Sequence, residues 1–411
     1  MTPLPPALRG RDIVCVGFAE WQTELWTNQH HLMARLAAGG NRVLFVESLG
    51  LRRPQLAGRD LRRLASRLRR GLSGPERHDG VEVLAPLVVP LHGYRAIREL
   101  NARLLPALVA RAARRLGMER PVLWAYVPQA EVLLEALHPS LVIYHCVDDI
   151  AVQRGIDEAS FRAAERRFAG RADLVLASAP RLVERMRTLS GNVLEAPNVA
   201  DTALFAGALE PGPVDSALDA LPAPRIVFTG AVVEKKLDYE LLIGLARRRR
   251  DWSIALVGPV GLGDPGTDVA PLEAEPNLHL LGHRPYAHLP AVLRGADAAL
   301  IPYRITPLTA SVFPMKVYEY LAAGLPVVTT PLPALEGVSE VARGADAAET
   351  EARLMELMGA DGAQRRAERS RAAAQNSWDA RLRDIGERVA ALAREPLAVA
   401  GAPASEREVA R

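Results

Sequence analysis

Short apolar runs alternate with longer segments of helical periodicity along most of the chain. Most of these runs are continuously apolar, which is typical of parallel strands that helices cover on both faces. The strand-helix-strand alternation predicts doubly wound, Rossmann-like α/β sheets. Strands are predicted at residues 12–17, 42–47, 81–85, 121–126, 141–146, 173–177, 192–195, 225–229, 253–258, 278–281, 298–302 and 327–330.

A proline-rich stretch divides the chain into halves of similar plan. We predict a first Rossmann-like domain at 1–205, a linker at 206–224 and a second Rossmann-like domain at 225–375. Two such sheets face to face place a cleft between the carboxyl ends of their strands. The end of the chain, 396–411, has the composition of a disordered tail.

Composition narrows the class of protein. Apolar residues make up 49% of the chain and charged residues 24%, as in an ordinary globular protein. No apolar run reaches the ~18 residues of a spanning helix, and the first residues lack the apolar core of a signal peptide. The start of the sequence therefore favours a cytoplasmic protein. Cys15 and Cys146 lie in apolar runs, so we expect buried thiols and no disulfide framework.

One segment carries the basic charge. The chain has a net charge of +3, but residues 49–72 hold eight arginines and one acidic residue. Leucines at 61, 64, 68 and 72 form one helical stripe, which favours docking on an anionic membrane surface through Arg62, Arg63, Arg67 and Arg69. A solvated helix whose leucines pack on the first domain is an equal alternative. Nucleic acid is disfavoured, because no aromatic residues are interleaved to stack on bases.

The segment 303–330 is the richest in candidate chemistry. A polar loop leads into a helix that is predicted to start near Phe313 or Pro314. Lys316 and Glu319 lie on nearly the same face of that helix. The helix N-terminus is a candidate anion site, made by the N–H groups of Ser311, Val312 and Phe313 and the hydroxyls of Thr309 and Ser311. A capped helix with a surface ion pair is the alternative.

The sequence from Glu319 to Val328, EYLAAGLPVV, resembles the nucleotide-sugar signature of retaining glycosyltransferases with the GT-B fold, known as glycosyl transferases group 1 or family four. That signature begins with a first Glu, whose position is taken by Ser311. Further resemblances follow in the family's order at 197–205, 228–238, 281–289 and 377–379. The nearest subgroup is that of bacterial surface-polysaccharide and teichuronic-acid type transferases.

The resemblance implies two Rossmann-like domains facing a cleft, and transfer of a sugar from a nucleoside diphosphate sugar to an acceptor hydroxyl with retention at the anomeric carbon. It implies no cofactor and no metal, and a helix at 376–395 that packs back on the first domain. The family's Arg after Gly230 is Ala231 here, so Lys235 or Lys236 is expected to supply the charge on the diphosphate. Glu319 is expected on the ribose hydroxyls, and further donor contacts are expected at Gly17, Gly230, His283 and Arg284.

A predicted strand of the first half ends in Asp148 and Asp149. Adjacent side chains point to opposite faces of a strand, so at most one of these carboxylates faces the cleft easily. The resemblance implies that Asp148 or His145 positions the acceptor hydroxyl. A strand end with a helix-capping Asp is the structural alternative, and a metal site is disfavoured.

The resemblance favours the first of three functions, and the other two are alternatives. The first is a glycosyltransferase that acts on a glycan or lipid-linked acceptor, with peripheral attachment to the inner face of the membrane. The second is a nucleotide-sugar epimerase of the same fold. The third is a non-catalytic, membrane-associated protein that binds sugar nucleotides, which the missing first Glu and Ala231 would fit.

Overall fold

The computed structural model describes residues 3–47, 74–86, 95–153 and 155–392. The predicted membrane-docking segment 49–72, with Arg62, Arg63, Arg67 and Arg69, lies outside the described residues. The predicted tail 396–411 also lies outside them.

The first sheet contains eight strands, β1 Asp12–Val16, β2 Arg42–Val46, β3 Glu76–His78, β4 Val81–Leu84, β5 Val122–Ala125, β6 Leu141–Cys146, β7 Leu174–Ala177 and β8 Val193–Glu195. Their order across the sheet is β3-β4-β2-β1-β5-β6-β7-β8. β3 pairs antiparallel with β4, and the other neighbours pair in parallel.

The second sheet contains six parallel strands, β9 Arg225–Thr229, β10 Ser253–Val257, β11 Leu278–Leu280, β12 Ala298–Ile301, β13 Val327–Thr329 and β14 Val341–Arg343. Their order is β11-β10-β9-β12-β13-β14. The order reverses at β9 and β12, which is where an open α/β sheet usually binds its ligand.

Helices connect the strands. In chain order they are α1 Asn28–Ala38, α2 Arg95–Arg115, α3 Leu134–Leu137, α4 Glu158–Ala169, α5 Pro180–Arg187, α6 Thr202–Ala206, α7 Ser216–Asp219, α8 Tyr239–Arg248, α9 Ala270–Glu273, α10 Leu289–Arg294, α11 Lys316–Ala322, α12 Ala347–Gly359, α13 Ala363–Ala373 and α14 Trp378–Leu392.

The continuous apolar runs reflect burial on both faces of each sheet. On β1, Val14 and Val16 pack into one core cluster while Ile13 and Cys15 pack into the other, and all four are at most 1% exposed. Each of the twelve predicted strands coincides with an observed strand to within two residues. The predicted fold class, two doubly wound α/β sheets, is confirmed.

The sequence analysis missed β3 and β14, which both lie at sheet edges. β3 forms a hairpin with β4 through Asp79 and Gly80, whose φ angles of 49° and 81° fit a tight turn. An Asp-Gly pair between two strands is a hairpin signal, so β3 was detectable. β14 is three residues long and has no apolar run that could have revealed it.

Helix α14 returns to the first domain. Helix α14 contacts α1 and the short 3-10 turn Pro6–Leu8, and Ser377 forms a bridge with Ala200. Across the gap between the sheets, the Nε2 atom of His283 lies 3.1 Å from the carbonyl oxygen of Glu24. The loop that follows β1 and the loop that follows β11 therefore meet between the two domains.

Candidate functional site

Gly230 follows β9 at the point where the strand order reverses. Its φ of +133° suits glycine, and a Cβ there would lie 2.6 Å from the Nζ atom of Lys316. Gly258 follows the neighbouring strand β10 with a φ of +158°, and a Cβ on it would lie 2.0 Å from the Gly230 carbonyl oxygen. Two backbones and a lysine ammonium thus approach one another as closely as glycines allow.

Lys236 lies near Tyr303, a residue that the charge of Lys316 also affects. Its Nζ atom lies 4.5 Å from the centre of the Tyr303 ring. Burial raises the pKa of Tyr303, but the charges of Lys236 and Lys316 outweigh it and hold that pKa below its usual value. Both lysines therefore lie within electrostatic range of one phenol. We call the group of Gly230, Lys236, Tyr303 and Lys316 the lysine site.

Backbone pairing holds the lysine site together. Leu237 and Tyr303 form an antiparallel bridge, and the Arg304 N–H donates to the Lys236 carbonyl at 2.9 Å. The Asp238 N–H donates to the Pro302 carbonyl at 2.8 Å, and the Asp238 side chain caps α8. The segment with Lys236 is thereby fixed against the residues that follow β12.

Lys235 points elsewhere. Its side chain is half exposed, donates to the Gly263 carbonyl at 3.0 Å and lies 3.6 Å from Asp264. From the sequence, either Lys235 or Lys236 was expected to bind the diphosphate. The geometry brings Lys236 together with Lys316 and leaves Lys235 on a surface loop.

The predicted helix N-terminus differs from the observed one. The segment Thr309–Ser311 forms a 3-10 turn, and α11 begins only at Lys316. The Ser311 and Val312 N–H groups donate to the carbonyls of Leu308 and Thr309, so neither is free for an anion. The Thr309 hydroxyl is fully buried and donates to the Arg304 carbonyl, and the Ser311 hydroxyl faces the Pro307 carbonyl at 3.5 Å. Thr309, Ser311 and Val312 therefore bond within the loop, because the chain turns there before the helix starts. Of the predicted set, Phe313 contributes its carbonyl, which accepts from the Asn198 amide.

Glu319 is buried one turn further along α11, with 5% of its surface exposed. Burial raises the pKa of Glu319, while the charge of Lys316 and the hydroxyl of Tyr286 act in the opposite direction. Tyr286 packs against His31 of the first domain at 4.9 Å and against Phe205 at 5.3 Å between ring centres. Glu319 thus lies behind the lysine site, where the two domains touch.

His283 and Arg284 are neighbours in the chain but contact different parts of the protein. His283 is exposed and bonds to the Glu24 carbonyl in the first domain. The Arg284 guanidinium donates to both carboxylate oxygens of Asp215, at 2.6 and 3.2 Å, which lowers the pKa of Asp215. Arg284 therefore fixes its loop to α7, and its charge is already paired.

Three candidates end the β6 strand of the first domain, and the structure separates them. Asp149 is buried and makes ion pairs of 2.8 Å with Arg162 and Arg185. Asp148 is only partly buried, and burial raises its pKa to about 6, while the charge of Lys236 acts to lower it. Asp148 is therefore the carboxylate within electrostatic range of the lysine site.

His145 lies in the core of the first domain. Its ring stacks on Tyr126 at 4.8 Å, and the Trp124 Nε1 atom donates to its Nδ1 atom at 3.4 Å. Burial, with the charge of Arg381, lowers the pKa of His145 to about 3. A fully buried, neutral imidazole has no exposed face for an acceptor, so the alternative that gave His145 this position does not match its surroundings.

Gly17 ends β1 at the same edge of the first sheet. A Cβ on it would lie 2.4 Å from the Phe45 ring and 2.5 Å from the Gln29 Oε1 atom. Gln29 also accepts from the Phe18 N–H at 3.1 Å. Gly17 allows this close packing of β1 against Phe45 and Gln29.

Residues 223–359 match the family model described as glycosyl transferases group 1. They contain the whole lysine site and Glu319. The second domain is a glycosyl transferases group 1 domain.

Solved structures resemble the chain over most of its length. A sucrose-phosphate synthase from Thermosynechococcus elongatus is 15% identical, with a TM-score of 0.65 over 93% of this chain and 99% of that one. Anabaena Alr3699/HepE in complex with UDP and glucose is 16% identical, with a TM-score of 0.63 over 92% of this chain and 99% of that one. At such identities the likeness shows the fold alone, and that fold is GT-B, as the sequence analysis expected.

One curated relative is similar at 31% identity over 228 residues. It is a protein of Bacillus subtilis (strain 168) that carries the name teichuronic acid biosynthesis glycosyltransferase TuaH. The match spans 52% of this chain and 56% of that protein, so the chain covers about half the length of the curated relative it matches.

The described residues contain neither a membrane-spanning helix nor a metal-binding cluster. No helix among them is long and apolar enough to cross a membrane. No group of three or more His, Cys, Asp or Glu side chains in that part of the chain could hold a metal ion.

Sequence reasoning missed Tyr303 and Asn198 as members of the site. Tyr303 lies two residues after the end of β12, and no motif revealed that its ring would lie within electrostatic range of two lysines. Asn198 lies in the segment 197–205 that resembles the family. Its bond to the group 1 domain, however, depends on how the chain crosses between the domains. That crossing is a tertiary feature, which spacing does not encode.

Proposed function

We propose that the protein is a retaining glycosyltransferase, which moves a sugar from a nucleoside diphosphate sugar to an acceptor hydroxyl. The group 1 domain binds the donor, and the first domain binds the acceptor. The proposal rests above all on one observation: Lys236 and Lys316 both lie within electrostatic range of Tyr303, and Lys316 also reaches Gly230 at the switch point of the second sheet.

The chemical difficulty lies in the leaving group. As the bond from the anomeric carbon to the diphosphate lengthens, negative charge grows on the phosphate oxygens and the sugar becomes oxocarbenium-like. Fixed cations that meet this charge lower the barrier, because they need no reorganisation during the reaction. Lys236 and Lys316 supply two such cations, and both are held in position by packing on Tyr303 and Gly230.

Glu319 and Asp148 have separate roles in the proposal. The Glu319 carboxylate accepts hydrogen bonds from the ribose hydroxyls of the donor nucleotide. Asp148 orients the acceptor hydroxyl and accepts a hydrogen bond from it. With a pKa of about 6, this side chain is mostly ionised at neutral pH and is able to accept that bond.

The substrates are proposed by analogy with named proteins. The Anabaena protein was solved with UDP and glucose, and with UDP-glucose, which makes UDP-sugars the first donors to try. The relative named for teichuronic acid biosynthesis favours an acceptor in surface-polysaccharide or glycolipid biosynthesis. A lipid-linked acceptor would place the reaction at the inner face of the membrane, where the arginines of segment 49–72 would attract anionic lipids.

Donor turnover tests the proposal. The purified protein is incubated with UDP-, GDP-, dTDP- and ADP-sugars, with and without lipid extract, and free nucleoside diphosphate is measured together with the configuration of the sugar product by NMR. We expect release of the diphosphate with retention at the anomeric carbon. A changed nucleotide sugar without release would indicate an epimerase, and binding without turnover a non-catalytic protein.

Vesicle sedimentation tests the membrane part separately. We expect the native protein to pellet with vesicles of phosphatidylglycerol at low salt and to be released at high salt. Changing Arg62, Arg63, Arg67 and Arg69 to Gln should abolish pelleting and leave donor hydrolysis intact. Native protein that stays in the supernatant at low salt would contradict membrane docking.

A further inference from the structure

Three buried polar side chains form a hydrogen-bonded chain from the first domain to the second. The Tyr126 hydroxyl, just after β5, donates to the Asn28 Oδ1 atom at 2.8 Å. The Asn28 Nδ2 atom donates to the Asn198 Oδ1 atom at 2.8 Å, and the Asn198 Nδ2 atom donates to the Phe313 carbonyl at 2.8 Å. The side chains are 1%, 5% and 8% exposed.

The two ends of the chain fix its direction. A carbonyl oxygen only accepts, so Asn198 must turn its NH₂ group towards Phe313. Asn198 is then left with an oxygen for Asn28, and Asn28 is left with an oxygen for the Tyr126 hydroxyl. No amide can flip without placing two acceptors or two donors face to face, which is costly in a buried network.

The last bond lies close to the lysine site along the chain. Phe313 precedes Pro314, and α11 starts with Lys316. Proline fixes its own φ and restricts the conformation of the residue before it, so few soft torsions separate the Phe313 carbonyl from Lys316. A displacement of that carbonyl therefore shifts the backbone of Lys316, from which the side chain reaches over Gly230.

Asn198 lies in the first domain, on the opposite side of the domain boundary from Phe313. It follows β8 of the first sheet and precedes α6, where the chain leaves the first domain. The bond from Asn198 to Phe313 thus spans 115 residues and ties the loop before α11 to the wall of the first domain.

We infer that Asn198 is a positioning residue, which through the Phe313 carbonyl holds the Lys316 ammonium at the place where the second phosphate of the donor binds. The inference rests on the proposed function. It assigns the first domain a part in building the donor site, in addition to holding the acceptor.

The test compares two buried asparagines that make similar bonds. Asn41 is 6% exposed, donates to the Leu36 carbonyl at 2.9 Å and accepts from the Arg11 N–H at 2.7 Å, all within the first domain. Asn198→Ala and Asn41→Ala each remove one donated and one accepted bond. The affinities of the native protein and both variants for UDP and UMP are measured by calorimetry, with the GDP and GMP pair as a second series.

We expect Asn198→Ala to lose roughly tenfold in diphosphate affinity and less than about threefold in monophosphate affinity, because Lys316 acts on the second phosphate. Asn41→Ala should lose a similar amount of thermal stability but keep the native ratio of diphosphate to monophosphate affinity. An unchanged ratio in Asn198→Ala would overturn the inference while leaving the proposed function standing. A native protein that binds no nucleoside diphosphate would overturn both.

A second variant covers the case in which Asn198→Ala does not fold. Tyr126→Phe keeps the ring stacked on His145 and removes only the hydroxyl that begins the chain. It leaves the Asn28 oxygen without its donor, so the Asn28 side chain shifts towards a new partner and its bond to Asn198, and through it the Phe313 bond, weakens. We expect the diphosphate-to-monophosphate ratio to fall by about threefold, and a native ratio would contradict the inference.

Discussion

The ammonium of Lys316 lies over the backbone of Gly230, 2.6 Å from where a Cβ on residue 230 would stand. A side chain at residue 230 and the observed position of Lys316 exclude each other. The glycine is therefore needed for the lysine site as well as for its own backbone conformation.

Gly230→Ala is expected to displace Lys316 and to strain the backbone, since a φ of +133° is unfavourable for any residue with a Cβ. We predict a loss of stability of about 1–3 kcal/mol in urea unfolding. We also predict a weaker affinity for nucleoside diphosphates by calorimetry. Gly40→Ala is the control, because Gly40 has a φ of +92° and open space around its missing Cβ. Equal diphosphate affinity in both variants would contradict the contact between Lys316 and residue 230.

The three lysines are expected to differ in their effect on turnover. Lys236→Met and Lys316→Met each remove a cation that faces the developing charge on the diphosphate, so kcat should fall more than the affinity for nucleoside monophosphate. Lys235→Met should stay within about threefold of the native kcat, since a cation on a surface loop contributes little. A Lys235 variant that is as impaired as the Lys236 variant would return the role to both lysines.

Glu319→Gln is expected to weaken the hydrogen bonds to the donor ribose, each of them worth roughly 1.5–3 kcal/mol with a charged partner. The check is a comparison of UDP with 2′-deoxy-UDP by calorimetry. The native protein should prefer the ribonucleotide, and the variant should lose most of that preference. A preference that survives in the variant would show that Glu319 does not contact the ribose.

Asp148 is expected to make stability depend on pH in a particular direction. Its pKa is raised from about 3.8 to about 6, so between these values the folded state holds a proton that the unfolded state has lost. Stability should therefore fall as pH rises from about 4 to about 6, by at most about 3 kcal/mol at 1.36 kcal/mol per pKa unit. Asp148→Asn should reduce this fall in urea unfolding measured at each pH.

Asp149→Asn is the matched comparison. It removes a carboxylate that pairs with Arg162 and Arg185, so it leaves two partly buried guanidinium groups with less negative charge. We predict a loss of about 3 kcal/mol at neutral pH. Similar unfolding curves for the Asp148 and Asp149 variants would contradict the division of roles at the end of β6.

The sequence predicted the sheets well because each buried strand is a continuous apolar run, as Ile13 to Val16 illustrates. It could not choose between Asp148 and Asp149, since the choice depends on arginines that α4 and α5 bring to Asp149. It placed free N–H groups at Ser311 and Val312, where a 3-10 turn uses them internally. Local spacing identifies which elements form, whereas the partners of each polar group depend on tertiary packing.

A crystal structure with the nucleoside diphosphate of highest affinity tests the central claim most directly. We predict the second phosphate between the Gly230 backbone, Lys236 and Lys316, with the ribose hydroxyls on Glu319. A diphosphate bound away from the two lysines, or one held by Lys235 and Arg284 in their place, would contradict it.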